Sequence, residues 1–405
     1  MGPGTLTSVP MADAQEVLER GPRLLVDLRS PAEYAEDNLP GAHNVPLFDD
    51  GERALIGTLY HRRSPDTAFA EARALTRAKI GALTARVAAL AGWEVPEGDL
   101  GRRVELMTSG GIELLERELA PAPAAAPGDV ALYCWRGGLR SRALVAFLRG
   151  LGFGAVVGIA GGYRAYRALV RARLDAWVAP PSFVLRGLTG VGKTLVLREL
   201  ARLRPEWVLD LEGEAGHRSS ILGAVGLRPV SQKRFESRLV GRLARGFPGP
   251  CVLEGESRKV GDIVLPASVW RAVDGGVALE LTAPLERRVD VLIEDYLASA
   301  DSRAELAEKL PFLEARLGAR YAGVLVGLLA AGRERELVEL LLERYYDPLY
   351  RHSEGARPFA ARFDARVPAV AAGELARWIE RALAQVRPAE AREARAAPPA
   401  RSTGL

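Results

Sequence analysis

The stretch that decides the fold of the second half of this chain is 183–194, Phe-Val-Leu-Arg-Gly-Leu-Thr-Gly-Val-Gly-Lys-Thr. An apolar run typical of a buried strand leads into a glycine-rich turn, and helical spacing follows it. The Gly-x4-Gly-Lys-Thr pattern is that of a P-loop, in which backbone N–H groups surround phosphates, the lysine neutralises them and the threonine binds Mg²⁺. The predicted phosphate-binding residues are Gly187, Gly190, Val191, Gly192, Lys193 and Thr194. The motif does not say whether the phosphates belong to a nucleotide.

Strands and helices alternate on both sides of this loop, which predicts an α/β fold with parallel sheets and ligands at the carboxyl ends of the strands. The pair Pro180-Pro181 is the best candidate for a domain boundary. We predict a first domain over 1–175, and a P-loop domain over 181–385 whose pattern is helical from about residue 285. The Ala/Pro/Arg-rich tail 387–405 is predicted to be disordered.

Carboxylates that could bind a metal ion or another ligand follow two predicted strands of the P-loop domain. The first pair is Asp210 and Glu212, and the second is Glu254 and Glu256. Either pair is a candidate for Mg²⁺, and either could equally be a pair of solvated carboxylates at a strand end. The sequence therefore assigns no certain metal ligand.

A second glycine-bearing turn lies in the first domain, between the apolar run 130–133 and a predicted helix. It contains a cysteine, Cys134, followed by Trp135, Arg136, Gly137, Gly138, Leu139, Arg140 and Ser141. A helix N-terminus and nearby arginines lower the pKa of a thiol, and only the thiolate is a strong nucleophile. We therefore predict that Cys134 is the catalytic thiol, whereas Cys251 opens an apolar strand and is predicted to be a core residue.

Composition sets further bounds on the class of protein. The formal charge is +4 and the pI about 9.1, which permits nucleic-acid binding without requiring it. Two cysteines are too few for a disulfide framework, and the four scattered histidines lack metal-ligand spacing. No apolar run is long enough to span a bilayer. We expect a cytoplasmic protein with no membrane association and no structural zinc.

The first domain resembles the rhodanese family of sulfur transferases. The resemblance rests on Leu25-Val26-Asp27-Leu28-Arg29-Ser30-Pro31, Leu39-Pro40-Gly41-Ala42, Tyr133-Cys134 with Arg140-Ser141, and Gly161-Gly162. Two departures stand out: an insertion near 60–100, and five residues between Cys134 and Arg140, one more than the usual sulfur-handling loop. A Cys-x5-Arg loop is a wider cradle, of the length that phosphatases use for a tetrahedral phosphate.

The order of the two domains resembles that of the bacterial tRNA 2-selenouridine synthase family. Besides the two loops, the motifs that carry the resemblance are Asp210-Leu211-Glu212-Gly213, His217-Arg218-Ser219-Ser220, Ser231-Gln232-Lys233, Glu254-x-Glu256-Ser257-Arg258-Lys259, Pro284-x-Glu286-x-Arg288-Val289 and Tyr345-Tyr346-Asp347-Pro348-Leu349-Tyr350. Together they span most of residues 12–355.

The resemblance implies a transferase that replaces sulfur by selenium in 5-substituted 2-thiouridine at the tRNA wobble position. It implies selenophosphate and geranyl diphosphate as co-substrates, no tightly bound cofactor, and lysine, glutamate and glutamine tRNAs as partners. Geranyl transfer to the sulfur would turn a poor leaving group into a good one. Three basic residues could face the tRNA or anionic ligands, or form structural ion pairs: Arg218, Arg258 and Lys259.

Two other classes of function fit the same motifs. A rhodanese sulfurtransferase fused to an ATP-dependent small-molecule kinase would also need a reactive thiol and a P-loop. A nucleotide-sensing module with a phosphatase-derived loop is a third interpretation, weakened because no aspartate general acid is evident near Cys134. ATP turnover distinguishes the kinase, and a modified tRNA distinguishes the synthase.

Overall fold

The structure is a computed structural model that describes residues 9–95, 104–105, 129–255, 257–354 and 358–396. It divides the chain into two compact units, Met1–Asp175 with Lys233–Val240, and Ala176–Gln232 with Gly241–Leu405. The predicted P-loop domain includes 233–240, whereas the structure groups this segment with the first unit. The reason is a set of polar contacts: Arg167 donates to the carbonyl of Lys233 at 3.1 Å, and the Ser237 hydroxyl donates to Asp37 at 2.9 Å.

The first unit is built on five parallel strands in the order β1-β5-β4-β2-β3. The strands are β1 (Met11–Ala12), β2 (Leu24–Asp27), β3 (Ala42–Asn44), β4 (Val130–Tyr133) and β5 (Val156–Ile159). The helices are α1 (Ala14–Arg20), α2 (Pro31–Glu36), α3 (Asp50–Arg62), α4 (Pro65–Ala91), α5 (Leu139–Gly150) and α6 (Gly162–Ala176). Every residue of β2, β4 and β5 is buried, as expected of parallel strands covered on both faces. Strand β4 is the central strand of the sheet, and Cys134 directly follows its last residue. The thiol therefore lies at the carboxyl end of the central strand.

The second unit has another parallel five-stranded sheet, in the order β12-β11-β6-β8-β7. Its strands are β6 (Ser182–Arg186), β7 (Val208–Leu209), β8 (Cys251–Glu254), β11 (Val277–Thr282) and β12 (Ala361–Asp364), and a separate antiparallel hairpin joins β9 (Lys259–Val260) and β10 (Ile263–Val264). The helices of this unit around the sheet are α7 (Lys193–Leu203), α8 (Leu211–Ala215), α10 (Ala267–Gly275) and α16 (Pro368–Ala396). Helix α9 (Gln232–Ala244) contains the segment 233–240 that is grouped with the first unit. The P-loop therefore follows the central strand, and the predicted α/β class with parallel sheets is confirmed.

The helical region after β11 has an apolar core of its own, which includes Leu310, Leu325 and Leu342. It contains α11 (Leu285–Tyr296), α12 (Ala300–Leu317), α13 (Val324–Ala330), α14 (Glu334–Leu341), a π-helical turn (Leu342–Tyr346) and α15 (Asp347–Glu354). Strand β12 was not predicted. Helix α16 continues through 387–396, which were predicted to be disordered, because alanine, glutamate and arginine are strong helix formers. Residues 397–405 lie outside the described residues.

Candidate active site

The Cys134 loop is held in place by the start of helix α6. The carbonyl of Cys134 accepts a hydrogen bond from the Tyr163 N–H, and that of Trp135 from the Arg164 N–H, both at 2.9 Å. The Cys134 loop lies so close to the start of helix α6 that a Cβ on Gly162 would lie 2.2 Å from the carbonyl oxygen of Cys134. Only glycine fits there, which gives the predicted Gly161-Gly162 pair a physical role.

The Cys134 thiol is buried, with 3% of the residue exposed. Burial alone raises a thiol pKa, but the charge of Arg140, the Ser141 hydroxyl and the N–H groups of Ser141 and Arg136 act in the opposite direction. The net result is a Cys134 pKa below its ordinary value. The Ser141 hydroxyl lies 3.3 Å from Sγ and is itself fully buried. The surroundings therefore favour the nucleophilic thiolate.

The groups around this thiol form a cradle that suits an anion. Helix α5 begins at Leu139, and Gly138 provides no side-chain cap, so the N-terminus of this helix lies uncapped by a side chain beside the thiol. The Nη1 atom of Arg140 is buried and has no hydrogen-bond partner among the described residues. Arginine beside helix N–H groups is an arrangement that suits a phosphate. Leu139 is 54% exposed and adds an apolar surface to the loop.

A buried polar network behind the loop was missed by the sequence analysis. The Tyr163 hydroxyl and the Ser237 hydroxyl both donate to Asp37 Oδ2 at 2.9 Å. The guanidinium of Arg29 lies 3.8 Å from the centre of the Tyr163 ring and forms an ion pair with Asp27 at 2.6 Å. Because Tyr163 also holds the carbonyl of Cys134, this network fixes the backbone that carries the thiol.

The hydroxyl of Ser141 provides the first testable prediction. Ser141→Ala removes a hydrogen bond to Sγ, and we expect the Cys134 pKa to rise, because that bond favours the charged form. A net hydrogen bond of about 1 kcal/mol corresponds to a rise of about 0.7 pH units. The pH dependence of the rate of alkylation by iodoacetamide measures this pKa. A matched Ser237→Ala variant, which leaves the thiol's own partners intact, is expected to move it less. An unchanged alkylation midpoint in Ser141→Ala would contradict the assignment.

The P-loop has the predicted strand–loop–helix geometry. Gly192 has a φ of 88° and lies just before helix α7, a left-handed conformation that glycine adopts without strain. The Lys193 Nζ donates to the carbonyl of Gly187 at 3.2 Å. Lys193 and Thr194 are the first two residues of this helix, so the charge, the hydroxyl and the helix N-terminus meet at one place.

One carboxylate from each candidate pair, Glu212 and Glu254, contacts the hydroxyl of Thr194. The Oγ1 of Thr194 lies 2.6 Å from Glu254 Oε1 and 3.1 Å from Glu212 Oε2. Asp210 instead caps helix α8, where it accepts a hydrogen bond from the N–H of Gly213 at 2.7 Å. Glu256 lies outside the described residues.

Hydroxyl and carboxylate oxygens are the ligands that Mg²⁺ prefers, so Thr194, Glu212 and Glu254 fit that ion. When bound, the ion would neutralise phosphate charge. Among the described residues there is no group of three or more histidine, cysteine or acidic side chains that could hold a metal ion by themselves.

Three residues of the helical region, Arg288, Asp347 and Tyr350, connect that region to the P-loop. Their motifs were quoted from the sequence, but the sequence did not reveal these contacts. Arg288 donates from Nε to the carbonyl of Thr189 at 2.9 Å and forms a double contact with Asp347, at 2.5 and 3.0 Å. The N–H of Gly187 donates to the Tyr350 hydroxyl at 2.8 Å. A Cβ on Gly190 would lie 2.7 Å from the carbonyl of Arg288.

The three basic residues proposed to contact tRNA or anions differ in their surroundings. Arg218 donates to the carbonyls of Val225 and Asp295, both at 2.9 Å, which makes it a structural residue of the second unit. Arg258 and Lys259 are exposed at the β9–β10 hairpin and have no acidic partner within the described part of the chain. Cys251 is fully buried in β8, and burial raises its pKa to about 12, in keeping with a core role.

Comparison with known proteins gives the family. The domain described as "tRNA 2-selenouridine synthase AAA domain" matches residues 180–375. The tRNA 2-selenouridine synthase of Chromohalobacter salexigens is 32% identical, over 87% of this chain and 92% of that protein. The chain belongs to the tRNA 2-selenouridine synthase family. Other members of this family are similar over most of their length: that of Bordetella petrii is 32% identical, over 81% of this chain and 86% of that protein. That of Pseudomonas putida KT2440 is 30% identical, over 82% and 88% respectively.

These matches extend well beyond either loop, so the resemblance noted from short motifs is confirmed at the level of the family. Within the described ranges, none of the helices combines the length and the apolar character needed to cross a membrane.

Proposed function

We propose that this chain is a selenium transferase that converts 2-thiouridine of tRNA into 2-selenouridine. The observation that carries the proposal is the Cys134 cradle: a thiol of lowered pKa beside a helix N-terminus and beside Arg140, whose buried Nη1 has no hydrogen-bond partner among the described residues. A thiolate facing a phosphate site suits a donor in which selenium is bonded to phosphorus. Membership of the family, whose relatives bear the name of this activity, supports the choice of substrate.

The thiol acts on selenophosphate in this proposal. The donor's phosphate binds to the helix N-terminus and to Arg140, and the Cys134 thiolate attacks phosphorus. An S–P bond forms, the P–Se bond breaks, and selenide leaves with the bonding electron pair. Water then hydrolyses the S–P bond, which returns the thiol and releases inorganic phosphate. The donor's own proton stays on selenium, so the leaving group is hydrogen selenide, HSe⁻, which is a weak base, and this step needs no further general acid.

The P-loop acts on geranyl diphosphate. The diphosphate binds to the loop amides and Lys193, and the sulfur of 2-thiouridine attacks the first carbon of the geranyl group. A C–S bond forms, the C–O bond breaks, diphosphate leaves with the electron pair, and the base loses its N3 proton to solvent. Hydrogen selenide, HSe⁻, then attacks C2 of the base and the geranyl thiolate leaves; the proton of the hydrogen selenide moves to N3, so that selenium replaces sulfur. A charged site of this kind stabilises the departing diphosphate.

The partner is tRNA with 5-substituted 2-thiouridine at the wobble position, in the lysine, glutamate and glutamine acceptors. The exposed Arg258 and Lys259 are candidates for contacts with its phosphates. The wobble base has to leave its stack to react, as bases do in enzymes that modify them. Phosphate contacts imply that tRNA affinity falls steeply with salt.

Nucleoside mass spectrometry tests the proposal directly. The purified protein is incubated with 2-thiouridine tRNA, selenophosphate and geranyl diphosphate, and each co-substrate is left out in turn. We expect 2-selenouridine in the complete reaction and S-geranyl-2-thiouridine when selenophosphate is omitted. ATP turnover with no change in the tRNA would instead support a sulfurtransferase fused to a small-molecule kinase.

A further inference from the structure

One amide of the P-loop already has a partner that does not belong to the loop. The N–H of Gly187, the first residue of the motif, donates to the Tyr350 hydroxyl at 2.8 Å. We propose that Tyr350 determines which phosphate ligands bind, by closing the loop to a third phosphate and so selecting diphosphates over triphosphates. This inference rests on the proposed function, because it concerns the ligand of the same P-loop.

The position of Gly187 in the loop indicates which end of a bound phosphate chain its amide would face. In a P-loop the lysine reaches the terminal phosphates, while the threonine hydroxyl is at the metal ion. Here Lys193 Nζ donates to the carbonyl of Gly187 at 3.2 Å, which places Gly187 at the lysine's end of the phosphate chain. Thr194, next to Glu254, marks the metal end. Gly187 contacts Lys193 through its carbonyl and Tyr350 through its N–H, so the proposal puts the Tyr350 hydroxyl at the end where a third phosphate would extend.

Helix α15 is anchored so that Tyr350 stays in this place. Asp347, one turn before Tyr350, forms the double contact with Arg288 at 2.5 and 3.0 Å. Arg288 in turn donates to the carbonyl of Thr189 in the loop, and only 5% of its side chain is exposed. Residues three apart on a helix lie on one face, so Asp347 and Tyr350 both face the loop.

The π-helical turn Leu342–Tyr346 sets the direction of helix α15. A π-helical turn adds a residue to the turn and shifts the phase of every following side chain, and such turns are frequent at functional sites. The turn ends directly before Asp347, at the point where the phase decides whether Asp347 and Tyr350 reach the loop. The contact of Tyr350 with Gly187 and that of Asp347 with Arg288 are both made by residues that follow this turn.

The chemical consequence is a preference for short phosphate chains. In a loop that is open at the lysine's end, a third phosphate adds negative charge beside Lys193 and should strengthen binding. With the hydroxyl in place, a third phosphate has to displace it and break its hydrogen bond with Gly187. A diphosphate ester of an apolar alcohol keeps all of these contacts.

Calorimetric titration of the full chain with Mg²⁺-pyrophosphate and Mg²⁺-tripolyphosphate tests the inference. We expect the wild type to prefer pyrophosphate by about tenfold, or about 1.4 kcal/mol. Tyr350→Phe removes only the hydroxyl and should reduce this preference to about threefold or less, and Tyr350→Ala should reverse it. The control is Tyr345→Phe, which removes a hydroxyl 3.3 Å from Arg316 and should leave the preference unchanged.

The outcomes separate this inference from the function on which it rests. Pyrophosphate binding that depends on Lys193, with a preference that neither Tyr350 variant changes, overturns the role of Tyr350 and leaves the proposed function standing. A wild type that binds tripolyphosphate at least as tightly as pyrophosphate also overturns it. A P-loop that binds neither ligand overturns both. Loss of the preference in both Tyr350 variants, with the Tyr345 control unchanged, supports the inference.

Discussion

Cys134→Ser is expected to reduce selenium incorporation into tRNA to below about one thousandth of the wild-type rate. The reason is that a serine hydroxyl is not ionised near neutral pH, whereas the pKa of Cys134 is lowered by Arg140 and Ser141 despite its burial. The exchange changes one atom and keeps a hydrogen-bonding group beside Ser141, so the fold should be retained. Nucleoside mass spectrometry measures the loss, and thermal unfolding verifies the fold.

Cys251→Ser is the matched control. Cys251 is fully buried in β8, and burial raises its pKa to about 12, so it is not a nucleophile at neutral pH. Its replacement should keep most of the activity and cost about 1–3 kcal/mol of stability, because a hydroxyl is left in an apolar strand. Selenation that survives in Cys134→Ser but is lost in a folded Cys251→Ser would show that the assignment of the thiol is wrong.

Phosphorus NMR adds a test of the chemistry assigned to this thiol. Wild type mixed with selenophosphate without tRNA should release inorganic phosphate, and Cys134→Ser should not. Selenophosphate that remains intact with wild type would contradict attack on phosphorus.

The second large effect is expected from Lys193→Ala, which should abolish geranylation of the tRNA. A hydrogen bond to a charged group contributes about 1.5–3 kcal/mol, so the Kd for Mg²⁺-pyrophosphate should rise by about 10- to 150-fold. The Nζ of Lys193 contacts the carbonyl of Gly187, so its positive charge lies at the glycine turn. Calorimetric titration and detection of S-geranyl-2-thiouridine measure the two effects.

Lys309→Ala controls for the loss of one positive charge, because it removes a lysine of helix α12 in the same unit. This variant should bind pyrophosphate like the wild type. The rate of Cys134 alkylation should be the same in both lysine variants, since the thiol's partners belong to the first unit. Unchanged pyrophosphate affinity in Lys193→Ala would argue against a diphosphate at the P-loop. Binding of ATP but not of geranyl diphosphate would point to the kinase.

The two loops were predictable because their structure is local. In each, an apolar strand, a glycine turn and a helix follow one another along the chain, so neighbouring residues alone determine where N–H groups and a helix N-terminus lie. The order of Cys134, Arg140 and Ser141 places an arginine and a hydroxyl one to two turns after the thiol. The structure has these residues around Sγ, in the positions that the spacing indicates.

The carboxylates could not be assigned from the sequence, because two acidic pairs each follow an apolar strand and look alike. The order of strands decides between them. Glu254 ends β8, which is paired with the P-loop strand β6, so that Glu254 lies opposite Leu185. Glu212 belongs to helix α8 and reaches the same threonine. The structure brings one carboxylate from each pair to the Thr194 hydroxyl, and spacing along the chain cannot predict which one it is.

The sequence by itself determined the family, the α/β class and the strand–turn–helix form of the two loops, because periodicity and glycine turns act between neighbours in the chain. Only the tertiary structure decided what surrounds the loops. Ser237 reaches Asp37 across 200 residues of chain, and Tyr350 reaches Gly187 across 163. Contacts of this kind depend on how helices pack and on the phase of a π-helical turn, so one side chain's position follows from the packing of many others.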